Sequence, residues 1–421
     1  MVLIVDRQLK SKQPMINKSQ VETLSVFIKN NESTIDDIGM YFLLLTALTI
    51  PLSIFLTECF YVAYLIVFFT ISRYKFITFN LLNSTVFILI IMGVISLLFH
   101  PSRHAFFDFK QQMYLAIVPF ISAYAWSVKR YVLMLRFFII GMLINLFFGI
   151  AEAFNVDIID THGQGNLGLI NFHIYSSMLL CISILIVIYD FFYRKIISNF
   201  IFRVILVFGF GWQLFTTTGR TGQGLLFLLV PLIIIWNAKR YKYIVSLLAA
   251  VAVGALLLST KAMHMWVTAY SQIHSLLTYG YHDNDIGLRY LFTKAGVIMF
   301  LSHPLFGVGI GGFREYFYTL IKTHQIHDIP SIFHYLVGPT SSYVAYISEF
   351  GLIGFLSFLL LIFASYKNVM NTPYKNVRQI GILFLLWFFI GSFSDTVIWR
   401  EIIVVPFLIF MSAIPSINQE L

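Results

Sequence analysis

The chain alternates long apolar runs with short polar turns, and one long polar interval breaks that rhythm. A helix that crosses the roughly 30 Å hydrocarbon core of a bilayer needs about 20 mostly apolar residues. Runs of that kind fall near 40–57, 58–72, 76–98, 112–127, 131–154, 169–192, 199–216, 222–237, 242–260, 342–366, 379–394 and 399–416. They predict an all-α polytopic membrane protein, a bundle of about twelve transmembrane helices. Pro51, Pro119, Pro231 and Pro406 fall inside runs, which a packed bundle tolerates. The exception lies between the ninth and tenth runs, where His, Arg, Asp, Lys and Gly gather. The expected organisation is an N-terminal segment over 1–39 and nine helices over 40–260. A large outward loop with short amphipathic helices then covers 261–341, and the last three helices and the C-terminus fill 342–421.

Charge sets the orientation. With the N-terminus in the cytoplasm, the turns at Arg73 and Lys75, Lys129 and Arg130, Arg194 and Lys195, and Lys239 and Arg240 all fall on the cytoplasmic side. Each carries a basic pair, as the positive-inside rule expects. Both termini are then cytoplasmic and the polar interval faces outward. The net charge of +9 is explained by these turns, so no nucleic-acid partner is expected. Composition agrees: 59% of residues are hydrophobic and only 11% charged, against about a quarter charged in soluble domains. Two cysteines, Cys59 and Cys181, cannot form a disulfide framework. Residues 1–39 lack a hydrophobic core before a small-residue cleavage site, so no cleavable signal is expected. They read as a surface helix or an unstructured segment.

Basic residues on the outer side run against the orientation rule and therefore carry information. Arg220 lies in TTTGRTG (216–222), just past an apolar run, and Arg289 opens the amphipathic stretch RYLFTKAGVIMFL (289–301). A planar guanidinium with five donors suits phosphate; the alternative is snorkelling toward lipid headgroups. HPLFGVGIGGF (303–313) lacks the strand context of a dinucleotide fingerprint and the Lys of a Walker motif. Its Gly309 and Gly311 read as a tight turn through which backbone approaches another helix or a glycan. His303–Pro304 marks a helix end. HQIHD (324–328) has metal-like spacing but no firm third ligand, so no metal site is expected. HDND (282–285) is the nearest approach to a nucleotide-sugar carboxylate pair, on the face where nucleotide sugars are absent.

The ordered set of TTTGRTG, the Arg-led segment, HPLFGVGIGGF and YVAYISEFGLIG (343–354) resembles the O-antigen ligase/polymerase (Wzy and WaaL-like) superfamily of bacterial envelope glycosyltransferases. The resemblance covers about 210–360. It implies a multi-pass protein of the bacterial inner membrane, active at its periplasmic face without metal or other cofactor. The implied reaction transfers glycan from undecaprenyl pyrophosphate to an acceptor hydroxyl, with inversion. Arg220 and Arg289 match the family arginines that would hold the pyrophosphate and stabilise its developing charge. Arg314, Glu349, Gly309, Gly311 and Asp395 are further candidates for substrate binding, with Glu349 also readable as a structural acid facing the bundle. One position departs from the ligase pattern: the expected His is Thr340, within GPTSSY (338–343). Threonine cannot act as a general base near neutral pH, so either His334 takes the catalytic role or this member does without it, and the departure favours a polymerase over a ligase. The partners implied are a lipid-linked oligosaccharide, membrane lipid and a chain-length regulator protein. A secondary transporter is the reading from another class. It would place polar residues near the midplane, where Arg136 is the one clear mid-run charge.

Overall fold

A computed structural model describes residues 32–71, 77, 80–99, 102, 104–124, 126–154, 156, 166–170, 172–236, 260–280, 284–330 and 337–418. The run predicted over 242–260, the segment 1–31 and His334 lie outside the described residues, apart from Thr260 at the run's end.

The first two helices, α1 (Glu32–Thr49) and α2 (Ile54–Thr70), form a hairpin. Ser53 closes the turn by accepting a hydrogen bond from the Leu56 amide. Both boundaries differ from the predicted runs. Apolarity continues through Ile50-Pro51-Leu52, which hides the turn from a hydropathy reading, so Pro51 sits between helices and not within one. Helix α1 also starts inside the predicted polar N-terminal segment. Helix α3 (Leu81–Phe99) follows. The run predicted over 112–127 is broken into α4 (Ala105–Gln112), a 3-10 turn and α5 (Ile117–Ser122). Its polar start is drawn inward because the Gln112 amide donates to the Leu89 carbonyl at 2.6 Å. Two-residue strand β1 (Trp126–Ser127) leads into α6 (Val128–Ala153), capped by Ser127.

Helix α7 (His173–Tyr193) is the axis of the bundle, with 94% of its span buried against 39% for α3. It is apolar on every face, as a helix surrounded by others must be. Around it stand α8 (Phe200–Thr216), α9 (Arg220–Trp236), α15 (Lys375–Ser394) and α16 (Glu401–Ala413). Between α9 and α15 the chain forms α10 (Thr260–Tyr279), α11 (Asp285–Ser302), α12 (Phe313–Lys322), α13 (Ser342–Glu349) and α14 (Gly351–Asn371). The run predicted over 342–366 is thus split at Phe350, where Gly351 takes φ +64°. Among the described residues five helices are long and apolar enough to cross a membrane, α3, α6, α7, α14 and α15, and α2, α8, α9 and α16 are shorter apolar helices. This is an all-α membrane protein.

The two ends of the bundle differ. At one, β1 pairs in parallel with β2 (Ile417–Asn418), and Arg130 approaches Asp36 and Asp37 at 3.6 and 3.3 Å. Arg136, expected within a run, donates to the carbonyls of Ile196 and Lys195 at 2.7 and 2.6 Å. It therefore reaches back to the α7–α8 turn and is not a midplane charge. At the other end the polar interval builds a small core of its own, from Leu291, Phe292 and Met299 of α11 and Phe313, Phe317 and Leu320 of α12.

Candidate active site at the mouth of the bundle

Two glycines bring α9 onto the first turns of α7. A Cβ on Gly219 would stand 2.4 Å from the His173 carbonyl oxygen, and one on Gly222 would stand 2.0 Å from that of Ser177. The Gly222 amide donates to the Ser177 hydroxyl at 3.2 Å. Any larger residue would hold the helices apart. The contact sets Arg220, the first residue of α9, beside His173, the first of α7. Gln223, one turn on, donates to the Leu214 carbonyl at 3.1 Å and accepts from the Trp266 indole at 3.1 Å, which ties α10 to the same corner.

Across the mouth, Asn284 caps α11 by accepting from the Gly287 amide at 2.9 Å. The first residue of that helix, Asp285, accepts from Arg220 Nη2 at 2.7 Å. Both partners are open to solvent, with side chains 28% and 62% exposed. One turn along, the half-buried Arg289 donates through Nη1 to the Ser394 carbonyl at the end of α15. Asp395 follows, and its carbonyl accepts from the amide and hydroxyl of Ser342 at 3.2 and 3.3 Å, docking α13 against α15. Its carboxylate accepts from the Thr396 amide at 2.6 Å. His173 is within electrostatic reach of Asp285, Arg289, Arg220 and Asp395 together. Three elements distant in sequence thus bring two guanidiniums and two carboxylates within electrostatic reach of one imidazole.

A second polar group lies nearby. Glu349, 1% exposed, accepts from the Gly311 amide at 2.9 Å and the Phe313 amide at 3.4 Å, while its own carbonyl accepts from Gly309 at 3.0 Å. Gly307, Gly309 and Gly311 all take positive φ, and a Cβ on Gly311 would meet the Ala105 amide nitrogen at 2.6 Å. The glycine loop is therefore a close backbone packing around one carboxyl. Burial and the neighbouring Asp108 push that carboxyl well above the ordinary range, and the two amides pull it back. Asp108 is raised by burial to about 6, with Arg400 and Arg314 opposing the rise.

Of the residues singled out in sequence, Arg220, Arg289 and Asp395 meet at the mouth. Gly309, Gly311 and Glu349 instead bind one another, with these amides and both carboxyl oxygens taken by protein partners. Arg314 belongs with Asp108 and Arg400. Sequence reasoning missed His173, Asp285 and Arg400. Asp285 stood in a motif weighed for another chemistry, and neither Arg400 nor His173 had a motif around it.

A helical membrane protein with a polar cluster at one mouth is the class these observations define. Residues 204–359 match the family described as O-antigen ligase, and the match supports the O-antigen ligase/polymerase superfamily for this chain. The matched span includes Arg220, Arg289, the glycine loop and Glu349, and excludes His173, Asp395 and Arg400. A search of the curated proteins finds no match.

Proposed function

We propose that this protein is a polymerase of O-antigen or a related surface polysaccharide, acting at the periplasmic face of the bacterial inner membrane. The observation that carries the reading is the convergence of Arg220 and Arg289 on His173 at one mouth. The arginines hold the pyrophosphate of an undecaprenyl-linked glycan, with Asp285 as the exposed partner that a bound phosphate displaces. The acceptor hydroxyl attacks the anomeric carbon, and a new C–O bond forms as the C–O bond to pyrophosphate breaks. His173 takes the hydroxyl proton, the role Thr340 cannot fill. Negative charge grows on the leaving pyrophosphate, and fixed guanidiniums stabilise it more in the transition state than in the ground state. The family's description as O-antigen ligase favours a second reading, ligation of finished glycan to lipid A-core.

Gel analysis of lipopolysaccharide from a strain lacking the protein tests both. Loss of the long ladder with a single-repeat band remaining, unrescued by Arg220→Ala or Arg289→Ala, is the polymerase result. Complete loss of O-antigen with accumulated lipid-linked polymer is the ligase result. An unchanged ladder sinks both and returns a transporter to consideration.

A further inference from the structure

Beside the arginine cluster lies a cavity of about 530 Å³, within the roughly 300–1,000 Å³ of small-ligand sites. The α1–α2 turn, α4 and the starts of α7 and α16 line it, and the lining includes Phe107, Gln111, Phe172, Tyr175, Arg400 and Glu401. The Phe172 ring lies 4.8 Å from the ring of His173 and 4.8 Å from that of Tyr175. The aromatic lining of the cavity therefore runs on to the His173 ring beside the arginine cluster. Arg400 stands over Tyr175 at 5.7 Å, and its buried Nε has no hydrogen-bond partner in the protein. A buried guanidinium donor left unmatched is costly, which marks Arg400 as a side chain that the protein itself does not fully satisfy.

We propose that this cavity seats a neutral pyranose of the acceptor glycan, an inference that rests on the transferase reading of the arginine cluster. Aromatic rings offer flat apolar faces to the C–H side of a sugar, while Arg400 and Gln111 donate to its oxygens and Glu401 accepts from its hydroxyls. The charge balance argues against an acidic sugar. Glu401 shares the lining with Arg400, and Asp108 and Asp395 act on the same region. No excess positive charge is left there to favour a carboxylate ligand. The position suits an acceptor, because the lining residue Phe172 is the chain neighbour of His173 and its ring lies 4.8 Å from the imidazole that would take the proton.

The test uses the full chain in lipid nanodiscs with two probes. One is neutral oligosaccharide released by mild acid from the source strain's own surface polysaccharide, followed by saturation-transfer NMR. The other is undecaprenyl pyrophosphate, followed by its shift of the unfolding temperature. Arg400→Gln should weaken oligosaccharide binding about tenfold, the loss of one charge-assisted contact, and Tyr175→Leu should weaken it in the same direction by removing an aromatic face, with the undecaprenyl pyrophosphate shift unchanged in both. Phe107→Ala, at a ring 57% exposed, removes a wall of the cavity without touching the core and should weaken binding in the same direction. Arg220→Ala combined with Arg289→Ala should abolish the pyrophosphate shift and keep the sugar signal. Wild-type sugar binding in both Arg400→Gln and Phe107→Ala overturns the cavity assignment alone. A pyrophosphate shift that survives loss of both arginines overturns the transferase reading on which it rests. Tighter binding of a uronic-acid oligosaccharide than of the neutral one overturns the charge argument.

Discussion

Two arginine–aspartate pairs stand at opposite ends of this bundle, Arg203 with Asp190 and Arg220 with Asp285. In the first, the guanidinium lies 3.2 Å from the carboxylate, with side chains 3% and 0% exposed. Asp190 also accepts from the amides of Lys195, Ile196 and Ile197, each at 2.9 Å. Arg203 further donates to the carbonyls of Ile197 and Ser198 at 2.8 and 3.1 Å. The second pair has one tight contact, and its aspartate is more than half exposed. A charge among apolar helices is expensive unless satisfied. Where the protein supplies every partner, the pair closes a turn. Where it leaves donors facing solvent at a mouth, the same two residue types can receive an anion. The difference lies in the surroundings and not in the residues.

The sharpest way to break that contrast is to delete each arginine. Arg203→Ala leaves Asp190 buried without its counter-charge and should cost about 3–5 kcal/mol of stability. Arg220→Ala should cost within about 1 kcal/mol, as exposed pairs do. Equal losses in denaturant titrations would erase the distinction. Next in size is function. Arg220→Ala and Arg289→Ala should each lower glycan transfer about 10²–10³-fold, the scale seen when one donor to a developing anion is removed. Transfer at the wild-type rate in either variant would make the open pair as structural as the closed one.

Much of the fold was legible because spanning helices need a length and apolarity that few other segments show. The motif order from TTTGRTG to YVAYISEFGLIG singled out both arginines for the same reason: basic residues outside the cytoplasmic turns stand out against an apolar chain. What stayed hidden depends on contacts between distant segments. Glu349 looks alike in sequence whether it faces a substrate or two glycine-loop amides, and only the packing of Gly311 against Ala105 decides. His173 becomes a site residue only once Gly219 and Gly222 set α9 on α7. Hydropathy alone could not see the α1–α2 turn at Pro51, because its residues are as apolar as the helices they join.

Two smaller tests sharpen the picture around the glycine loop. Gly311→Ala places a Cβ against backbone at φ +69° and should cost about 1–3 kcal/mol. An unchanged unfolding temperature would mean that the loop yields more readily than its packing indicates. The second test concerns pH. Asp108 holds its proton up to about 6 when folded, against 3.8 as a free carboxyl. Because the folded form binds that proton more tightly, its contribution is fully present below about pH 4 and is lost as pH rises through 6. The unfolding temperature should therefore fall across that window, and Asp108→Asn should shrink the fall. Glu349, shifted in the same direction, keeps part of it. An identical slope in the variant would remove Asp108 from the account.

The buried axis of the bundle also bears on the order in which the chain is made. Helix α7 leaves the ribosome before α15 and α16, which finally cover it, have been synthesised. Until they arrive it must tolerate lipid on the faces they will occupy, and a helix apolar all round can do so. Its one carboxylate, Asp190, finds all its partners between Lys195 and Arg203, within the hairpin that follows directly. That charge is neutralised before any later helix is needed, so the central helix can wait in the bilayer for the rest of the protein.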